Sequence, residues 1–230
     1  MSTTNSQIPT LEGDAQIPAY VTRPQGTPKG AVIVIQEIFG VNPGIRKKAD
    51  HWAAKGYLAV APDVFWRQEP GVELDSDVPE QFQKGVELMM KHDFDLGIRD
   101  VEAVIHWIRR QEGVPKVGLV GYCMGGKVAY MAAARTDLDA AVGYYGVGID
   151  QMLNESHAIA KALLLHVPTA DGFVPPEAQK AMHKALDDNP HVTLYDYEGL
   201  DHGFAAEHGV RRDEAAAQLA DSRTEAFFAR

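Results

Sequence analysis

Ala31 to Ile35 (AVIVI) form an unbroken apolar run, the pattern of a strand buried on both faces. Tyr57 to Ala61 and Val117 to Val120 repeat it, and further apolar runs stand at 140–145, 162–167 and 191–197. Residues 14–23 (DAQIPAYVTR) suit a short antiparallel strand, closed by Pro24 and the turn region Gly26–Gly30. Between the strands the period changes. Asp93 is placed to cap a helix in which Phe94, Ile98, Val101, Ile105 and Ile108 recur at spacings of four, three, four and three. Asn42-Pro43 starts another helix and Gly56 stops it. Helices are also expected at 79–91, 124–135, 176–187 and 211–229. Strands alternating with helices predict an α/β protein, a mostly parallel sheet with helices on both faces. Residues 1–230 contain no repeat, linker or low-complexity tract, so a single domain is expected.

Composition narrows the function classes. Hydrophobic residues make up 45% and charged residues 23% of the chain, as in an ordinary globular protein. Twenty-two basic against 32 acidic side chains give a net charge of −10, which argues against nucleic acid or an anionic membrane as partner. The single cysteine cannot form an internal disulfide. The N-terminal MSTTNSQIPT lacks a basic start and an apolar core, and no apolar run approaches the ~20 residues of a membrane span. A cytoplasmic protein is therefore expected. IQEIFG after the first buried strand lacks the G-x-G-x-x-G fingerprint, so no cofactor is implied. His202 and His208 are six apart and no other histidine pair has ligand spacing with carboxylates, so no metal is expected.

The lone cysteine, Cys123, lies in KVGLVGYCMGGKVAYMAAA, at the apex of a strand, a tight turn and a helix. The G-x-S-x-G nucleophile elbow has this layout, with serine where this chain has cysteine. Close backbone packing explains the glycines, because side chains at Gly121 and Gly125 would collide. A small buried core thiol is the competing reading. What favours the elbow is the rest of the chain. A cysteine nucleophile needs a base, and the base needs a group to hold its tautomer. Asp171 follows one strand in LLLHVPTADGFVPP, and His202 follows the last strand in YEGLDHGF. The order nucleophile, acid, histidine is that of the hydrolase elbow proteins. Asp201 is the rival acid, ranked lower because adjacent side chains point apart.

The segments GYCMGG (121–126), DGFVP (171–175), DHGF (201–204), IQEIFG (35–40) and DSRTEAFFA (221–229) resemble the dienelactone hydrolase family over nearly the whole chain. The resemblance implies an α/β-hydrolase fold and ester or lactone hydrolysis through Cys123, His202 and Asp171. It further implies that the backbone N–H groups of Ile38 and Met124 form the oxyanion hole, and that Glu37 interacts with the resting cysteine. Phe39, Tyr145 and Phe173 match positions where the family lines its pocket. One pattern departs. The two arginines with which the family grips a lactone carboxylate are not evident, since Gln81, Gln83 and Ala206 stand in those segments. A guanidinium–carboxylate contact is hard to replace with neutral groups. A substrate other than dienelactone is therefore expected, with Arg67 read as structural or solvated rather than as the missing charge. A small-molecule ester or lactone is the expected partner, and a monomer or small homo-oligomer the expected state. The rival class is a hydrolase-fold ligand binder or redox sensor without turnover, which would have no need of all three side chains.

Overall fold

A computed structural model of the chain describes residues 4–207 and 209–230. Met1–Thr3 of the N-terminal stretch, and His208 of the metal argument, lie outside the described residues. Two compact units are distinguished, Met1–Leu119 and Val120–Arg230.

In the first unit, β1 (Ser6–Pro9) and β2 (Gln16–Thr22) pair antiparallel, Ser6 opposite Ala19 and Pro9 opposite Gln16. β3 (Ala31–Ile35) runs parallel to β4 (Leu58–Pro62), which is antiparallel to β2 on its other side. All residues of β3 and β4 are buried, as their unbroken apolar runs require. α1 (Pro43–Ala54) begins where expected, with the Asn42 side chain accepting the N–H of Ile45. α2 covers Pro79–Lys91. α3 (Phe94–Gln111) is capped by Asp93, whose carboxylate accepts the N–H groups of Asp95 and Leu96. Ile98, Val101, Ile105 and Ile108 are buried along one face of it. At about 1.5–3 kcal/mol per buried aliphatic side chain, that stripe outweighs the helix's intrinsic propensity. On α2, Leu88 is buried and Met90 is 78% exposed.

β5 (Val117–Tyr122) crosses from the first stretch of chain into the second. The second unit continues with α4 (Met124–Arg135), β6 (Ala140–Tyr144), a 3-10 helix over Asp150–Ala158, β7 (Ala162–Pro168), α5 (Pro176–Leu186), β8 (Val192–Tyr197) and α6 (Glu214–Phe228). β6 pairs parallel with β7, and β7 with β8. The strand order is β1-β2-β4-β3-β5-β6-β7-β8, a mostly parallel eight-stranded sheet. Several boundaries differ from the expected ones by a few residues. β6 ends at Tyr144 because Tyr145 takes a positive φ of 40°. β8 begins at Val192 and not His191. α6 starts at Glu214 because Asp213 is its cap, accepting the N–H of Ala216. No helix among the described residues is long and apolar enough to cross a membrane.

Candidate active site

The carboxyl ends of β5, β6, β7 and β8 carry Cys123, Tyr145, Asp171 and His202 respectively, where open α/β sheets bind ligands. Cys123 has φ 56° and ψ −117°, a conformation that L-residues avoid and that persists only where the surroundings impose it. Its N–H donates to the Tyr144 carbonyl at 3.0 Å, and its carbonyl accepts the N–H of Gly126 at 2.9 Å. A Cβ on Gly121 would lie 1.9 Å from the Gly125 carbonyl oxygen. A Cβ on Gly126 would lie 2.7 Å from the Gly146 Cα and 2.8 Å from the Tyr144 carbonyl. Gly121 therefore has the steric role expected of it, and Gly126 is where α4 leans on the end of β6. The side chain of Cys123 thus sits at the N-terminus of α4 as a free thiol.

His202 is 7% exposed. Its Nδ1–H donates to Asp171 Oδ2 at 2.9 Å, and its side chain also hydrogen-bonds Cys123. With Nδ1 engaged by the carboxylate, the bond to sulfur falls to Nε2. Burial disfavours the charged imidazole, but the charge of Cys123 and the hydrogen bonds to Asp171 and Cys123 outweigh it, raising the pKa to about 10. Asp171 is itself oriented, its Oδ1 accepting the N–H of Phe173 at 2.8 Å. Two rings close on the imidazole edge-on, Tyr145 and Phe173, each with its centroid 4.9 Å away. Tyr145 is buried, whereas Phe173 is 45% exposed with the Arg211 guanidinium 5.4 Å from its ring centre.

Asp201, the rival acid, does a different job. Its Oδ1 accepts the backbone N–H groups of Gly172 at 2.9 Å and His202 at 2.7 Å, tying the loop after β7 to the loop after β8. Those two backbone donors, with Arg211 and His202 adding to them, hold its carboxyl below the ordinary range.

The remaining expected positions stand in the first unit or on the helix. Met124 is the first residue of α4 and buried. Glu37 is half-buried just past β3. The Ile38 carbonyl packs so closely on α2 that a Cβ on Gly85 would lie 2.6 Å from its oxygen. Phe39 is buried with its ring centroid 5.9 Å from that of Phe82. Arg67 is bound by both oxygens of Asp100, at 2.7 and 3.0 Å, and Asp100 also accepts the Trp66 indole N–H. That is the structural reading of Arg67. Gln81 accepts the N–H of Asp75, and Gln83 donates to Glu87. Among the described residues no cluster of three or more His, Cys, Asp or Glu side chains could hold a metal ion.

Sequence reasoning passed over what lies behind the site. His166, 1% exposed on β7, bonds Tyr197 Oη through Nδ1 at 2.7 Å and Thr224 Oγ1 through Nε2 at 2.9 Å. Burial, with the charge of Arg223, drives its pKa down to about 3. Only a histidine inside an otherwise apolar strand could have signalled it.

Known proteins agree with this architecture. Residues 17–230 match the model of the Dienelactone hydrolase family. A "Putative carboxymethylenebutenolidase" of Azospirillum brasilense is 42% identical over 216 residues, 94% of either chain. The carboxymethylenebutenolidase of Pseudomonas putida is 36% identical over 212 residues, 92% of this chain and 90% of that one. A crystal structure described as "Putative Dienelactone Hydrolase" from Klebsiella pneumoniae superposes with a TM-score of 0.84 at 29% identity, covering 98% of this chain and all of that one. The fold is that of the α/β-hydrolases, and the chain belongs to the dienelactone hydrolase family.

Proposed function

We propose that this hydrolase cleaves a small ester or lactone by nucleophilic catalysis, with Cys123 as nucleophile, His202 as base and acid, and Asp171 as the group that orients His202. One observation carries the reading. A histidine fixed at Nδ1 by a buried carboxylate hydrogen-bonds the one thiol of the chain, and that thiol sits on a strained turn at a helix N-terminus.

The thiolate attacks the acyl carbon, and the carbonyl electron pair moves to oxygen. Collapse re-forms the carbonyl and breaks the bond to the leaving oxygen, which takes its proton from His202 Nε2. The product is a thioester on Cys123. In a lactone the leaving alcohol stays attached to the acyl chain. Water then attacks the thioester as His202 accepts its proton. Breakage of the C–S bond releases the acid and restores the thiolate–imidazolium pair. Asp171 keeps the imidazole in the tautomer that both steps need. Tyr145 and Phe173, whose rings touch His202, are proposed substrate walls. The oxyanion roles of the Ile38 and Met124 N–H groups, the resting-state role of Glu37 and the lining role of Phe39 rest on the sequence resemblance. The expectation that all 230 residues work as one domain rests on the chain's lack of a repeat, linker or low-complexity tract.

The Pseudomonas putida relative is named a carboxymethylenebutenolidase, and the Azospirillum brasilense relative a "Putative carboxymethylenebutenolidase". The neutral residues Gln81, Gln83 and Ala206 support an ester or lactone less anionic than dienelactone for this chain. Hydrolysis of p-nitrophenyl acetate by wild type, Cys123→Ala and His202→Ala tests the site, and equal rates in all three would reject it. Turnover of dienelactone against neutral p-nitrophenyl esters tests the substrate. Efficient, carboxylate-dependent dienelactone hydrolysis would sink the preference for neutral substrates.

A further inference from the structure

Two non-glycine residues among those described have positive φ, Cys123 at 56° and Tyr145 at 40°. They meet at one peptide. Tyr144, directly before Tyr145, supplies the carbonyl that accepts the Cys123 N–H at 3.0 Å, and the same carbonyl is where a Cβ on Gly126 would collide. Whatever fixes Tyr144 fixes both strained residues, one bearing the sulfur and the other packing on the His202 ring. Strain of this kind survives only where neighbours over-determine the backbone.

The neighbours of Tyr144 form a single directed chain. Its Oη lies 2.9 Å from Asp221 Oδ1 and 2.7 Å from Thr224 Oγ1. A carboxylate only accepts, so the one Tyr144 hydroxyl proton goes to Asp221, and Thr224 donates to Tyr144. Thr224 must then accept the Nε2–H of His166, leaving His166 Nδ1 to accept from Tyr197. Arg223 in turn hydrogen-bonds Tyr197. Each hydroxyl along the path donates once, each His166 ring nitrogen has one partner, and no donor faces a donor. Three members of the chain, Asp221, Thr224 and Arg223, come from one turn of α6. The Tyr144 ring is further clasped by Tyr122, the residue before Cys123, at 4.8 Å and by His166 at 4.2 Å.

We propose that Tyr144 is a positioning residue for the nucleophile, and that Asp221 and Thr224 of α6 hold it through its hydroxyl so that its carbonyl sets the angle of the Cys123 turn. This rests on the hydrolytic reading of Cys123. A slack Tyr144 lets the Cys123 turn relax and displaces sulfur relative to His202, while Tyr145 in the pocket wall keeps a second tether, its N–H donating to the His166 carbonyl at 2.9 Å. The signature is lost kcat with KM preserved.

The experiment compares Tyr144→Phe, Thr224→Val and Thr224→Ser in the full chain, with thermal melts to confirm folding. Two quantities are read: the kcat and KM of p-nitrophenyl acetate hydrolysis, and the rate at which iodoacetamide alkylates Cys123. Tyr144→Phe and Thr224→Val should lower kcat on the order of tenfold, as small misplacements of catalytic groups do. KM should stay within about twofold, since binding is untouched. The alkylation rate should fall with kcat, and Thr224→Ser, which keeps the hydroxyl, should restore both. Wild-type kcat and alkylation in folded Thr224→Val, or equal defects in Thr224→Val and Thr224→Ser, would overturn the proposal. Should Tyr144→Phe not fold, the Thr224 pair decides alone. Alkylation needs no turnover, so a failure of the hydrolase reading, seen as wild-type hydrolysis independent of Cys123, is distinguishable from a failure of this one.

Discussion

His166 and His202 are both buried imidazoles of the second unit, bonded at both ring nitrogens, yet one is driven down to about 3 and the other up to about 10. Burial acts on both in the same direction. The partners differ. His166 faces two hydroxyls and feels the positive Arg223, so nothing repays the desolvation of a proton. His202 faces a carboxylate and a thiol that can carry negative charge. A polar group behind the sheet thus serves as a neutral brace, while one at its carboxyl edge holds a proton firmly. What sets the two histidines apart is the charge of their partners, not their burial.

Cys123→Ala should break the contrast most severely. Hydrolysis should fall to background, by a factor of about 10⁶ if the site behaves as other triads do, and the His202 pKa should drop because its largest favourable partner is gone. Activity assays and histidine NMR titration read the two effects. Asp171→Asn comes next, since it leaves the imidazole without its acceptor. A loss of about 10⁴ in kcat is expected, with little change in Tm. Steady-state kinetics with a parallel melt would separate that outcome from misfolding.

Stability against pH sharpens the same comparison. His202, raised from 6.5 to about 10, binds a proton in the folded state that the unfolded chain releases. Its contribution is complete below pH 6.5 and is lost as pH rises through 10. His166, lowered from 6.5 to about 3, acts oppositely. Between those values the unfolded chain takes up a proton that the folded one refuses, so stability falls as pH falls. His166→Asn should flatten the acid limb of a urea-midpoint profile while lowering neutral stability by about 1–3 kcal/mol through its unpaired hydroxyl partners. An unchanged acid limb would refute the neutral brace. Asp201→Asn should have the smallest effect, under about tenfold in kcat, because its oxygen can still accept both backbone N–H groups.

Much of this was legible in the sequence, for identifiable reasons. β3 and β4 announce themselves because strands buried on both faces can afford no polar residue. The order of Cys123, Asp171 and His202 follows the chain, so spacing alone could propose their meeting. β1 escaped notice because four residues ending in proline define a strand only through the partner that pairs with them. The 3-10 helix over Asp150–Ala158 buries none of its residues, so no apolar period marks it. The His166 chain was hidden for another reason. Thr224 lies 58 residues away and Tyr197 31, and hydrogen-bond partners at such distances leave no periodic trace. The bracing of two loops by Asp201 was hidden because it depends on backbone donors that no side-chain pattern encodes.

Cys123 is the only sulfhydryl in the chain, and it is 8% exposed. Every thiol equivalent in a preparation is therefore one copy of the proposed site. A small alkylating reagent followed by intact-mass measurement would count competent molecules directly, one adduct per chain, while protein already oxidised at sulfur would stay unlabelled. Specific activity could then be expressed per intact centre instead of per milligram.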